Sequence, residues 1–120
     1  MAASGTRLRV TREKDVTQVE FVDRNILDEA NIQAIGEEVM AIIDASPSPR
    51  LLISFSNVDH LSSAALGTLI SINNRIKARA GQLRLANIDP QIMEVFMITR
   101  LNRIFSIHET SAQALESFES

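Results

Sequence analysis

Residues 51–88, LLISFSNVDHLSSAALGTLISINNRIKARAGQLRLANI, decide the fold. The stretch opens on a continuous, mostly apolar run from Leu51 to Phe55 and closes on a second short run from Leu83 to Ile88. Between them Leu66, Leu69, Ile76 and Ala80 recur at a spacing that draws one stripe along a helix starting at Ser62 or Ser63. Arg75, Lys77 and Arg79 gather near the end of that helix, where the dipole favours cations, and Gly81 supplies the stop. A strand without polar alternation is one covered on both faces, so 51–55 is predicted to lie centrally in a sheet. Strand, helix and strand in this order make one βαβ unit, which crosses over right-handed onto parallel strands.

The flanking sequence extends the same pattern. SPSP at 46–49 stops a preceding helix, because a residue before proline is pushed out of the helical region. That helix starts after Asp28 and Glu29, carries Ile32, Ile35, Val39, Ile42 and Ile43 on one stripe, and ends near Ala45. Residues 7–12 and 18–23 alternate apolar and polar side chains around a charged turn at Lys14 and Asp15, the pattern of a half-exposed hairpin. Downstream, Asp89 and Pro90 suit the N-cap and first position of a helix reaching about Arg100. IFSIH at 104–108 reads as a short strand, and Thr110 or Ser111 caps a last helix carrying Ala114, Leu115 and Phe118. The predicted order is β-β-α-β-α-β-α-β-α: a single α/β domain with a mixed, mainly parallel sheet, an N-terminal hairpin and about four helices. Residues 1–5 are expected to be a flexible start and 6–120 the domain.

Composition narrows what such a domain does. With 120 residues and 45% hydrophobic content the chain can build one core without metals or disulfides. A formal net charge of -3 argues against sequence-independent nucleic-acid binding. The absence of cysteine removes thiolate metal sites and cysteine nucleophiles. His60 and His108 stand far apart without a ligand cluster, and Gly36, Gly67 and Gly81 make no phosphate loop. His60 lies beside two serines but lacks a G-x-S-x-G elbow. No catalytic residue, cofactor or metal is therefore predicted, and the chain reads as a non-enzyme. No apolar run approaches the roughly 20 residues a bilayer span needs, and the start has no signal-peptide pattern, so a cytoplasmic location is expected.

Sites in open α/β sheets gather outside the C-terminal ends of the strands, which groups the turn Arg24 to Asp28, the loop at 57–63 and the turn Asn87 to Pro90. In the middle loop, NVDHLSS, two hydroxyls open a helix and small residues follow. A serine in that place caps an orphan backbone N–H, a role worth about 1 kcal/mol. A phosphate there would face free N–H groups and the positive end of the helix, so two adjacent hydroxyls allow one to cap and the other to accept a phosphoryl group. Met93, Phe96 and Met97 at helical spacing read as core before they read as a docking surface, and Arg100 and Arg103 as solvating a helix end.

The run VDHLSSAALGTLI (58–70), with ILDEANIQAI (26–35) before it and ANIDPQIMEVFMITRLNRIFSIHET (86–110) after it, resembles a STAS domain of the anti-sigma-factor antagonist type over nearly the whole chain. The resemblance implies that Ser63 is the phosphoacceptor. Ser62 then falls where the family carries an aspartate, Ala64 where it carries a second hydroxyl and Ala65 where it carries a glycine. Asp59, three residues ahead of Ser62, either replaces the missing charge or shapes the loop, and Asp28 corresponds to the family's acid at the head of the first helix. Partner contacts are implied at Asp28, His60, Leu61, Gly67 and Thr68. The implied function is a partner switch: the unmodified chain binds an anti-sigma factor that is also a serine kinase, phosphorylation of Ser63 ends the binding, and a phosphatase can reset it. The alternative within the family is a non-switching scaffold or a subunit of a signalling or lipid-transport assembly. The oligomeric state stays open.

Overall fold

The computed structural model describes residues 8–13, 15–22, 25–26 and 29–118. Residues 1–5, Lys14, Arg24 and Asp28, which figure in the sequence reading, lie outside the described residues. The elements in chain order are β1 (Leu8–Glu13), β2 (Val16–Phe21), β3 (Asn25–Ile26), α1 (Glu29–Asp44), β4 (Arg50–Ser54), β5 (His60–Leu61), α2 (Ser63–Ala78), β6 (Gln82–Ala86), α3 (Pro90–Ile98), a 3-10 turn (Leu101–Arg103), β7 (Ser106–His108) and α4 (Ser111–Ser117). Five strands form one sheet in the order β1-β2-β4-β6-β7, antiparallel only between β1 and β2, so the domain is the α/β fold with a hairpin edge that the sequence predicts.

Alternation along the strands sorts two layers. Val19, Leu51, Ile53, Leu83 and Leu85 face α1, α2 and α3 in the main core, whereas Val16, Leu52 and Ala86 turn to the opposite face against Ala114 of α4 and Phe118, its C-cap. The apolar run at 51–55 is explained by this arrangement: β4 is the middle strand, and Leu51, Leu52 and Ile53 are buried on alternate faces. Phe21, Phe55, Phe96 and Phe105 stand in a row with successive ring centroids 5.2, 6.5 and 5.9 Å apart, which pins α3 over the C-terminal ends of β2 and β4. Across the C-terminal ends of α1 and α2, Arg75 grips the Asp44 carboxylate with two hydrogen bonds of 3.0 and 2.7 Å, and Arg79 donates to the Asp44 carbonyl at the end of α1 and to the Ser46 carbonyl just beyond it. The Arg75 hydrogen bonds hold the Asp44 carboxyl below the usual carboxylate range.

The structure differs from the sequence reading in several places. β2 begins two residues earlier than the 18–23 read from alternation, because Val16 belongs to the α4 layer and Val22 is exposed beyond the strand. Ala80 does not continue the α2 stripe: it leaves the helix at φ 58° and is itself the left-handed residue of the stop. Gly81 is required for another reason, since a Cβ there would lie 2.3 Å from the Pro49 carbonyl oxygen, which accepts the Gln82 N–H at 2.8 Å. α3 ends at Ile98, with Arg100 left-handed at φ 64°, and Ile104 and Phe105, the first two residues of the expected 104–108 strand, are spent leaving a 3-10 turn. The two-stranded parallel pair of β3 with β5 has no counterpart in the sequence reading.

Candidate functional site

β3 pairs with β5 through Asn25 with His60 and Ile26 with Leu61, which fastens the chain leading into α1 beside the loop leading into α2. The Asn57 side chain adds a hydrogen bond of 3.3 Å to the Phe21 carbonyl at the end of β2. On the other side, Asp59 and His60 share a surface depression with Asp89, Pro90 and Gln91 at the start of α3. All three segments grouped from the sequence therefore meet at the C-terminal rim of the sheet, although Arg24 and Asp28 themselves lie outside the described residues.

At the head of α2 the two serines take different places. Ser62 is the N-cap: its backbone is extended, its hydroxyl oxygen accepts the Ala65 N–H at 3.2 Å, and its carbonyl accepts the Leu66 N–H at 3.1 Å. Ser63 is the first helical residue and is exposed, with Ala64 exposed beside it. The hydroxyl doublet thus divides into a half-buried cap and an outward hydroxyl over the positive end of a 16-residue helix. Asp59 and His60 are exposed at the same rim.

The remaining residues read from the sequence fall into two groups. Gly67 is exposed, and a Cβ there would meet nothing within 4 Å, so that face of α2 is open and flat. Leu61, Ala65 and Thr68 turn inward instead. They line an apolar crevice between α1, α2 and the sheet together with Ile32 and Ile35, and the Thr68 methyl packs where a Cβ on Gly36 would stand, 3.1 Å away.

Two features escape the sequence reading. Asn87, at φ 61°, donates to the Ser54 hydroxyl at 2.9 Å and the Ser111 hydroxyl at 2.8 Å, tying the end of β4 to the first residue of α4. The signal for it is residue type, since asparagine tolerates the left-handed region and supplies two side-chain donors. The second is α3, where Phe96 is buried as expected but Met93 is only half-buried and Met97 is 58% exposed, so the sequence reading of this helix as core holds for one residue of the three. Among the described residues no three His, Asp or Glu side chains gather as a metal site, and no helix is long and apolar enough to cross a membrane.

Comparison with known proteins agrees with this geometry. Residues 9–114 match the model of the STAS domain family. The chain is similar to a protein of Bordetella bronchiseptica named an anti-sigma factor antagonist, with 24% identity over 97 residues, 81% of this chain and 83% of the relative. Among solved structures it is similar to an anti-sigma-factor antagonist (STAS) domain protein from Planctomyces limnophilus, with a TM-score of 0.86, 26% identity, and coverage of 94% of this chain and 98% of that one. It also shares its fold with a Bacillus cell fate determinant solved in the phosphorylated form, at a TM-score of 0.69 and 16% identity, covering 92% of this chain and 98% of that one.

Proposed function

Because the chain belongs to the STAS domain family, we propose that it is an anti-sigma-factor antagonist working as a partner switch in the cytoplasm. Unmodified, it binds an anti-sigma factor that is also a serine kinase and so frees the factor that protein held. Phosphorylation of Ser63 ends the binding, and a phosphatase restores it. The observation that carries this reading is the division of labour at the head of α2: Ser62 is engaged as the cap, and Ser63 is outward and without a structural task.

The chain is the substrate in this scheme. The Ser63 hydroxyl oxygen bonds to the γ-phosphorus of ATP held by the kinase, the bond to the ADP oxygen breaks, and the hydroxyl proton passes to a base of the kinase. The product carries about -1.5 to -2 charge at neutral pH. Its attraction to an exposed helix end is worth about 0.3–1 kcal/mol, too little to remodel the fold. At a packed interface the same charge costs several kcal/mol if left unpaired, and since each 1.4 kcal/mol is about tenfold in affinity, local blockade suffices to dissociate the complex. Asp59 and His60, on the rim beside Ser63, and Gly67, one turn along α2, are the contacts this reading assigns to the partner, together with Asp28, which precedes Glu29 in the sequence.

Phosphopeptide mass spectrometry on the endogenous protein tests the proposal. The peptide between the cleavage sites Arg50 and Arg75 contains both serines. Phosphate on Ser63 that changes between growth and stress is the expected result. Phosphate on Ser62 in its place, or none with full coverage of the peptide, overturns the switch and leaves a non-switching scaffold as the function.

A further inference from the structure

We propose that the edge of the sheet opposite Ser63 is a docking surface for an anionic lipid bilayer, with Ile98 and Ile104 entering the bilayer interface between arginines. The observation is a band of cations without acidic partners. β1 runs against the other strands, so its end lies beside the starts of β4, β6 and β7. Arg12 stands at that end of β1, Arg50 opens β4, Lys77 is in the last turn of α2 ahead of β6, and Arg100 and Arg103 precede β7. All of these are exposed, and none binds a carboxylate among the described residues. The acids described at this edge are Asp15, Asp44 and Glu116, and Asp44 is already held by Arg75 and Arg79. A chain of formal net charge -3 thus presents one locally basic edge.

Aliphatic side chains choose among the anionic partners. Ile98 is 75% and Ile104 43% exposed, and residues 95–105 contain Arg100 and Arg103 but no acid. Hydrogen bonds from the Arg100 N–H to the Met97 carbonyl at 3.1 Å and from the Ile104 N–H to the Leu101 carbonyl at 2.9 Å fold this segment into turns, which the buried Leu101 and Phe105 anchor. A duplex nucleic acid offers phosphates but no place for an isoleucine. A bilayer interface sets anionic headgroups directly above hydrocarbon, so arginine and isoleucine from one knuckle of the chain are satisfied together. The cations also extend across the width of the five-stranded sheet, roughly 19 Å at a strand spacing of about 4.8 Å, which matches a flat counter-surface better than a single acidic peptide. Bound in this way, the chain turns its C-terminal rim and Ser63 away from the bilayer, so this surface acts independently of the switch.

Co-sedimentation of the full-length protein with vesicles tests the proposal, comparing equal parts phosphatidylglycerol and phosphatidylcholine with phosphatidylcholine alone. Binding to the anionic vesicles that weakens with added salt, and none to the neutral ones, is expected. Arg100 has φ 64°, a conformation that glycine adopts freely, so Arg100→Gly removes a charge without harming the fold and should weaken vesicle binding about fivefold. Arg103→Gln should do the same, Ile98→Gln should weaken binding about tenfold, and Arg9→Gln, toward the far end of β1, by less than about twofold. Equal binding to both vesicle types, no effect of Arg100→Gly or of Ile98→Gln, or binding to polyglutamate or duplex DNA as tight as to the anionic vesicles would each overturn the proposal.

Discussion

Replacing Ser62 and Ser63 by alanine, one at a time, separates the structural hydroxyl from the outward one by stability alone. Ser62→Ala removes the oxygen that accepts the Ala65 N–H at 3.2 Å and leaves that donor orphaned in the first turn of α2. Loss of such a cap costs about 1 kcal/mol. Ser63→Ala removes an exposed hydroxyl that makes no cap bond, so its effect stays within about 0.5 kcal/mol. An unfolding entropy of about 2.1 cal/mol/K per residue over a domain of this length converts 1 kcal/mol into roughly 4 °C. Ser62→Ala should therefore lower Tm by about 4 °C and Ser63→Ala by less than about 2 °C. Calorimetry reads the shift directly, and urea unfolding should show a lower midpoint with an unchanged m-value. A Ser63→Ala loss equal to that of Ser62→Ala would refute the division of roles, and with it the physical basis for assigning the phosphoacceptor. Ser62→Asp, which restores the acid the resemblance places there, keeps the cap and gains from the helix dipole, so its Tm should equal or exceed that of the parent chain.

Further expectations follow from the loops and the helix ends. Ala80→Gly relieves a left-handed alanine at φ 58° and should stabilise the domain by about 0.5–1 kcal/mol in urea unfolding. Gly81→Ala should cost about 3 kcal/mol, because the added carbon would stand 2.3 Å from the Pro49 carbonyl and push apart the first rung between β4 and β6; equal effects at the two positions would contradict the assignment of the left-handed residue to Ala80. The Asp44 carboxyl should titrate below its ordinary value, chiefly through the Arg75 hydrogen bonds, and Arg75→Ala should raise its midpoint in an NMR titration. Since the folded-state value is the lower one, the Asp44 contribution to stability is present above the ordinary carboxylate range and is lost as pH falls through the lowered midpoint, a dependence that Asp44→Asn should flatten.

Much of this architecture is written locally. The continuous run from Leu51 to Phe55 can be satisfied only by a strand covered on both faces, and β4 is the middle strand of five. Asp89 with Pro90, and Thr110, cap α3 and α4 as their residue types require, because a cap is a bond between residues two or three apart and needs no distant partner. The doublet Ser62–Ser63 is legible as a helix start for the same reason. Which hydroxyl caps is not, because a one-residue shift of the helix start exchanges the two roles.

The sequence by itself determined the alternation of strands and helices, the central strand, the helix caps, the lack of cysteine chemistry and the place of the hydroxyl doublet, since each is set by periodicity, composition or neighbours along the chain. Tertiary structure alone decided the rest. The pairing of β3 with β5 joins Asn25 to His60 across many residues of sequence and draws the loops into one rim, and nothing in two-residue strands announces a partner so distant. The same dependence on distant contacts governs Gly81, whose need arises from the Pro49 carbonyl, and Thr68, turned inward by its contact with Gly36. It governs α3 most plainly: Ile92, Met93, Phe96, Met97 and Ile98 are alike in apolar character, and only the path of the helix over the phenylalanine row determines that Phe96 is buried while Met97 and Ile98 face water. Periodicity states that a face is apolar, but what covers that face depends on contacts far away in the chain.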